Sequence, residues 1–158
     1  MMLDKTGVAP KELVLSRFFD EKILARPKAI LECYEDIPCN PCSTSCPFDA
    51  IHIGEDINQQ PKLDPEKCTG CGICVTSCPG LAIIVAQIKF DQAIFKIPFE
   101  FNPKPNIGDM VDGINRSGEK ICDAKIIKVT TNKKNDKTSL IEVSVPIEYL
   151  HEFVTVRV

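Results

Sequence analysis

Long apolar runs are missing from this 158-residue chain. None approaches the ~20 residues that a membrane helix needs, which removes a spanning role. An excess of positive charge is missing too. Nineteen Lys and Arg stand against 22 Asp and Glu, for a net charge of −3, so the composition gives no reason to expect a nucleic-acid partner. The sequence holds no glycine-rich phosphate loop and no acid–base or nucleophile set, so the chain is not expected to be catalytic on its own. No signal peptide is recognisable at its start. A disulfide-building compartment is therefore not expected, and a cytoplasmic setting is. With 44% hydrophobic and 26% charged residues, the composition is that of a soluble globular protein, long enough for one ordinary domain or two small ones.

Cysteine is what the chain has in quantity. Eight of its nine cysteines lie between Cys33 and Pro79. Cys68, Cys71, Cys74 and Cys78 follow the spacing C-x2-C-x2-C-x3-C, with Pro79 next. That is the ligand run of bacterial iron–sulfur proteins, in which the fourth cysteine binds the other cluster. A looser copy precedes it. Counting back from Cys46-Pro47, Cys42 stands four residues earlier and Cys39 seven. Ten residues back, where the opening ligand should be, stands Asp36, and the nearest cysteine is Cys33.

The spacing suits wrapping. A cube of iron and sulfide needs a thiolate at each iron, and three thiolates two residues apart fold round one cube with their backbone N–H groups aimed at its sulfurs. Gly70 and Gly72 suit a backbone that approaches the cluster closely with unusual dihedrals. Pro47 and Pro79 turn the chain away from the site. Zinc usually takes two separated C-x2-C pairs and needs no continuous run ending in Cys-Pro, twice over. His52 reads as a strand surface residue.

Residues 31–85 resemble a bacterial-type ferredoxin domain with two [4Fe-4S] clusters. The likeness rests on both Cys-Pro runs, on Phe48-Asp49-Ala50-Ile51 and Gly80-Leu81-Ala82-Ile83 after them, and on Leu63-Asp64-Pro65-Glu66-Lys67 before the second. The resemblance implies that one cluster takes Cys46, Cys68, Cys71 and Cys74. The other takes Cys39, Cys42, Cys78 and a fourth ligand. For that fourth ligand, Asp36 has the regular spacing and Cys33 the softer donor, better matched to a sulfide cluster. Pro38 biases Ile37 to an extended conformation. A bulge over Glu35-Asp36-Ile37 would bring Cys33 back, so Cys33 is favoured. A three-iron cluster with neither bound is the other possibility.

The flanks differ from this core. Residues 31–66 carry eight acids and one base, Lys62, whereas residues 91–158 carry ten of each. The acidic part would be steered towards a basic patch on a redox partner, or is simply a solvated face. Lys11 to Leu24 has loosely helical apolar spacing through Leu13, Val14, Leu15, Phe18, Phe19, Ile23 and Leu24. Residues 1–30 are thus expected to dock on a partner or to pack on their own chain. Within residues 31–86, short strands are expected at Ile51–Ile53 and Pro61–Leu63, and short helices at Pro41–Cys46 and Ile73–Cys78. Residues 87–158 read as five or six short strands, with turns at Gly108-Asp109 and Arg116-Ser117-Gly118 and a polar loop over 132–137. Cys122 reads as a small core hydrophobe.

The expected fold class is α+β: a ferredoxin-like two-cluster domain followed by a small all-β barrel or sandwich. The tail from Ile97 to Ile121, IPFEFNPKPNIGDMVDGINRSGEKI, also resembles the β tail of ferredoxin-type small subunits in multi-subunit flavin-dependent amino-acid or amine dehydrogenases. That implies an electron-transfer subunit of a hetero-oligomer with flavoprotein dehydrogenase partners. The alternative is a freely diffusing ferredoxin with a stabilising extension.

Overall fold

Antiparallel pairing organises most of the chain. The computed structural model describes residue 3, residues 5–131 and residues 138–158; the polar loop expected over 132–137 lies outside them. The N-terminal part holds two short helices, α1 (Lys11–Leu15) and α2 (Glu21–Leu24), then strand β1 (Lys28–Leu31). The cysteine-rich part holds α3 (Pro41–Ser45), the two-residue strands β2 (Ile51–His52) and β3 (Lys62–Leu63), and α4 (Ile73–Ser77). Five longer strands follow β4 (Ile83–Lys89): β5 (Gln92–Phe99), β6 (Met110–Asn115), β7 (Lys120–Thr130), β8 (Ser139–Pro146) and β9 (Phe153–Arg157).

Strand β5 shows why the sheet forms. Its sequence QAIFKIPF buries every second residue, Ala93, Phe95, Ile97 and Phe99. Across the pair, Val145, Val143, Ile141 and Ser139 of β8 meet them and are buried in turn. The period of two puts one face in the core. The sheet runs β1-β4-β5-β8-β7-β6-β9, open at β1 and β9. It curls enough for Phe153 of β9 to lie 4.8 Å, ring to ring, from Phe95 of β5.

This sheet does not stop where the cysteine-rich part ends. Strand β4 spans the boundary expected near residue 86 and pairs with β1 on one side and β5 on the other. The strands on either side of the ligand runs are therefore two strands of the seven. A bulge between Ile126 and Lys128 shifts the alternation by one, so that Ile127 and Lys128 are both exposed and Val129 turns inward.

The expected amphipathic stretch from Lys11 to Leu24 is two helices rather than one. Asp20 has extended backbone angles and accepts a hydrogen bond from the Ile23 N–H at 3.0 Å, so it caps α2 and breaks the pattern. Leu13, Val14 and Leu24 are buried, and Phe18 and Phe19 pack against the main core. Phe18 meets the His151 ring edge-on at 4.8 Å. Most of the apolar surface expected to reach a partner is thus spent within the chain, and Leu15 alone of that group is exposed.

Candidate metal centre

The two cysteine runs fold into matching halves. Each has a short helix whose C-cap is a Cys-Pro cysteine: Cys46 after α3, with φ −71° and ψ 114°, and Cys78 after α4, with φ −73° and ψ 116°. Each cysteine then begins a four-residue loop, Pro47-Phe48-Asp49-Ala50 or Pro79-Gly80-Leu81-Ala82. The third loop residue is left-handed in both, Asp49 at φ 54° and Leu81 at φ 53°. That twist points the next N–H back at the sulfur, so Ala50 donates to Cys46 Sγ and Ala82 to Cys78 Sγ, each at 3.4 Å. A third such bond runs from the Ala29 N–H to Cys68 Sγ, also at 3.4 Å. N–H donors on a thiolate that gains negative charge favour its reduced state.

Around these halves the eight cysteines sort into two neighbourhoods. Burial pushes the Cys74 thiol up to about 12, and neighbouring Cys68, Cys71, Cys46 and Cys42 add to the rise. Burial likewise pushes Cys42 up to about 11, with Cys78, Cys39 and Cys33 adding. Cys33 is raised by burial and by Cys78 and Cys39, against an N–H from Glu35 and the charge of Arg17. One group is Cys46, Cys68, Cys71 and Cys74; the other is Cys33, Cys39, Cys42 and Cys78. Cys42 and Cys74, both buried, bridge the groups where α3 packs on α4.

The first group lines one pocket, walled by apolar Ala29, Ala50, Ile51, Leu63 and Val85. Among the described residues, no three His, Cys, Asp or Glu side chains converge as a single metal ion requires. Thiols spread round an apolar pocket fit a cube with one thiolate at each corner better than a tetrahedral zinc.

Asp36 and Cys33 are placed differently. Asp36 is exposed and accepts from the Gln60 amide at 3.2 Å. Cys33 is half-buried beside Cys39 and Cys78. His52 lies exposed on β2. Cys122 is partly buried against the main core, far in sequence from the ligand runs. Gly70 and Gly72 have the expected unusual dihedrals, at φ 71° and 87°, and both line the same pocket as the thiols. A Cβ on Gly70 would sit 2.5 Å from Pro27 Cβ, and one on Gly72 2.7 Å from Leu140 Cδ2, so the packing behind them also excludes a side chain.

The left-handed loop residues escaped the sequence reading, although their signal is present: both loops read Cys-Pro-x-x-Ala. The cations on the ligand runs escaped it as well. Lys28, Lys96 and Arg17 reach the Cys68, Gly70 and Cys33 carbonyls from elements outside those runs.

Comparison with known proteins fits this geometry. Residues 37–82 match the 4Fe-4S dicluster domain family, a span that begins four residues after Cys33. Over 38 residues, 24% of this chain, the sequence is 66% identical to one subunit of the Na(+)-translocating ferredoxin:NAD(+) oxidoreductase complex of Acetobacterium woodii, covering 11% of that protein. Over 47 residues, 30% of the chain, it is 45% identical to one subunit of an ion-translocating oxidoreductase complex of Methanosarcina acetivorans, covering 17% of it. A ferredoxin of Methanocaldococcus jannaschii is 42% identical over 45 residues, 28% of each chain. The chain thus spans less than a third of the length of these relatives. No solved structure matches. Two matched cysteine halves, an apolar thiol-lined pocket and the family match together identify residues 37–82 as a two-cluster [4Fe-4S] ferredoxin domain, a domain of iron–sulfur electron transport.

Proposed function

We propose that this chain is the electron-transfer subunit of a multi-subunit, flavin-dependent oxidoreductase of the cytoplasm. Its clusters are held by Cys46, Cys68, Cys71 and Cys74 and by Cys33, Cys39, Cys42 and Cys78. The observation that carries the ligand sets is the sorting of the thiols into these two neighbourhoods. When bound, the clusters supply one-electron chemistry, and the chain's own residues do the rest. Apolar walls at Ala29, Ile51 and Val85 keep water from one site. Buried Cys42 and Cys74 bring the two sites together. Cys71 is exposed, and Phe48 and Ile73, each 44% exposed, flank its pocket as a surface for a redox partner.

A dedicated subunit is favoured over a free carrier because the sheet continues through six strands beyond β1 and most of those residues hold no cysteine. Two of the relatives are named as subunits of oxidoreductase complexes. Under this proposal the ferredoxin part and the β part are two functional regions built on one sheet. The test is purification of the native protein from its cells under anaerobic conditions. Co-elution with a flavoprotein, seen by flavin absorbance in the same size-exclusion peak, supports the subunit. A stable monomer free of flavoprotein supports the freely diffusing ferredoxin.

A further inference from the structure

Two lysine ammonium groups end on the backbone of one ligand run and not on any carboxylate. Lys28 of β1 donates to the Cys68 carbonyl at 2.6 Å, and Lys96 of β5 donates to the Gly70 carbonyl at 2.7 Å. Neither belongs to an ion pair among the described residues. For Lys96 this is notable, because Glu142 stands directly opposite it in the β5–β8 register, where opposite charges normally meet. Lys28 is only 9% exposed, which makes an uncompensated ammonium costly. The buried Lys28 charge therefore favours an anion nearby, Lys96 is only partly buried, and the carbonyls that both hold belong to the loop running from Cys68 to Cys71.

The second ligand set has one such cation against two. Arg17, also outside any ion pair among the described residues, reaches the Cys33 carbonyl at a longer 3.3 Å and shares its guanidinium with Gln60. Arg116, the other nearby cation, is already neutralised by Glu32 at 2.7 Å.

We propose that Lys28 and Lys96 are positioning residues that fix the Cys68–Gly70 loop and hold the reduction potential of the cluster on Cys46, Cys68, Cys71 and Cys74 above that of its neighbour. The proposal rests on the ligand reading above. The physics is Coulombic: a fixed cation stabilises a nearby group more after it gains an electron than before, so the electron settles on the cluster beside it. Here that is the cluster with the exposed ligand, Cys71. Lys96 also gives the β sheet a role at the redox site, since it arrives from a strand beyond the ferredoxin run.

The experiment is an anaerobic potentiometric titration of the full chain, followed by electron paramagnetic resonance. Wild type should show two separable one-electron steps. In Lys96→Met the higher step should fall by at least tenfold in its equilibrium constant, about 59 mV, while the lower step stays in place. Lys96→Arg should keep the wild-type value. Lys28→Met should move the same step. Because Lys28 is buried, Lys96 carries the test if that variant does not fold. Loss of half the iron in Lys96→Met, restored in Lys96→Arg, also supports the positioning role. Both steps unmoved in an iron-replete Lys96→Met overturn the proposal. Iron content of wild type tests the ligand reading separately: a single cluster there defeats that reading before any lysine variant is measured, whereas two clusters with both steps unmoved defeat the lysine proposal alone.

Discussion

The contact between Glu32 and Arg116 ties the first ligand run to the β sheet, and its removal should be costly. Glu32 directly precedes Cys33, and Arg116 sits in the turn between β6 and β7. Their side chains are 12% and 14% exposed, with Nε and Oε1 2.7 Å apart. Tyr34 donates its hydroxyl to the same Glu32 oxygen at 3.0 Å, and burial together with that carboxylate pushes the Tyr34 hydroxyl well up. Arg116 also donates to the His151 carbonyl at 2.5 Å, tying down the approach to β9. Arg116→Met leaves a buried carboxylate with Tyr34 as its remaining donor. Breaking one side of such a pair costs about 3–5 kcal/mol, a large share of the roughly 5–15 kcal/mol that holds a domain of this kind. Tyr34→Phe removes one hydrogen bond to a charged acceptor, worth about 1.5–3 kcal/mol. Replacing both partners, as Glu32→Leu with Arg116→Met, should recover much of the loss, because no charge is then left unpaired. The assay is anaerobic urea unfolding at equilibrium, followed by far-ultraviolet circular dichroism and by cluster absorbance. An Arg116→Met unfolding free energy within about 0.5 kcal/mol of wild type, the range of an ordinary surface change, would refute a structural role for the pair.

Three further outcomes follow from the same structure. Cys33→Ser should convert one cluster to a three-iron signal in electron paramagnetic resonance, while Asp36→Ala leaves both four-iron signals intact; the reverse pattern would hand the ligand role to Asp36. Phe90, 92% exposed with φ 58° at the tip of the β4–β5 hairpin, holds a conformation that favours glycine, so Phe90→Gly should raise stability by about 1 kcal/mol in thermal unfolding. In the metal-free chain, burial raises the Cys42 and Cys74 thiols above the usual 9.0, to about 11 and about 12. The folded state then binds more protons than the unfolded one, so its stability is fully present below pH 9 and is lost as pH rises through 11 and 12. A urea midpoint for the metal-free protein that climbs between pH 9 and 11 would contradict this.

Much of the site was legible because its chemistry is local in sequence. Thiolates at two-residue spacing before Cys-Pro report on one loop and one short helix, and the sequence placed α3 and α4 within a residue of their observed ends. Strands β5 and β8 were legible by alternation. The continuity of the sheet was not. Ile83 to Ala86 is buried on four consecutive residues, with no alternation to mark a strand, so the boundary was set inside β4. The hairpin after it lacks a glycine, because Phe90 occupies the left-handed position. The helical period over Lys11–Leu24 gave no warning that Asp20 would cap a second helix. Long-range contacts such as Lys96 to Gly70 have no local signature at all.

The most direct test of the central reading is metal and sulfide analysis of anaerobically purified full-length protein. The expected result is about eight irons and eight acid-labile sulfides per chain, from two four-iron cubes. Stoichiometric zinc with no labile sulfide would contradict it.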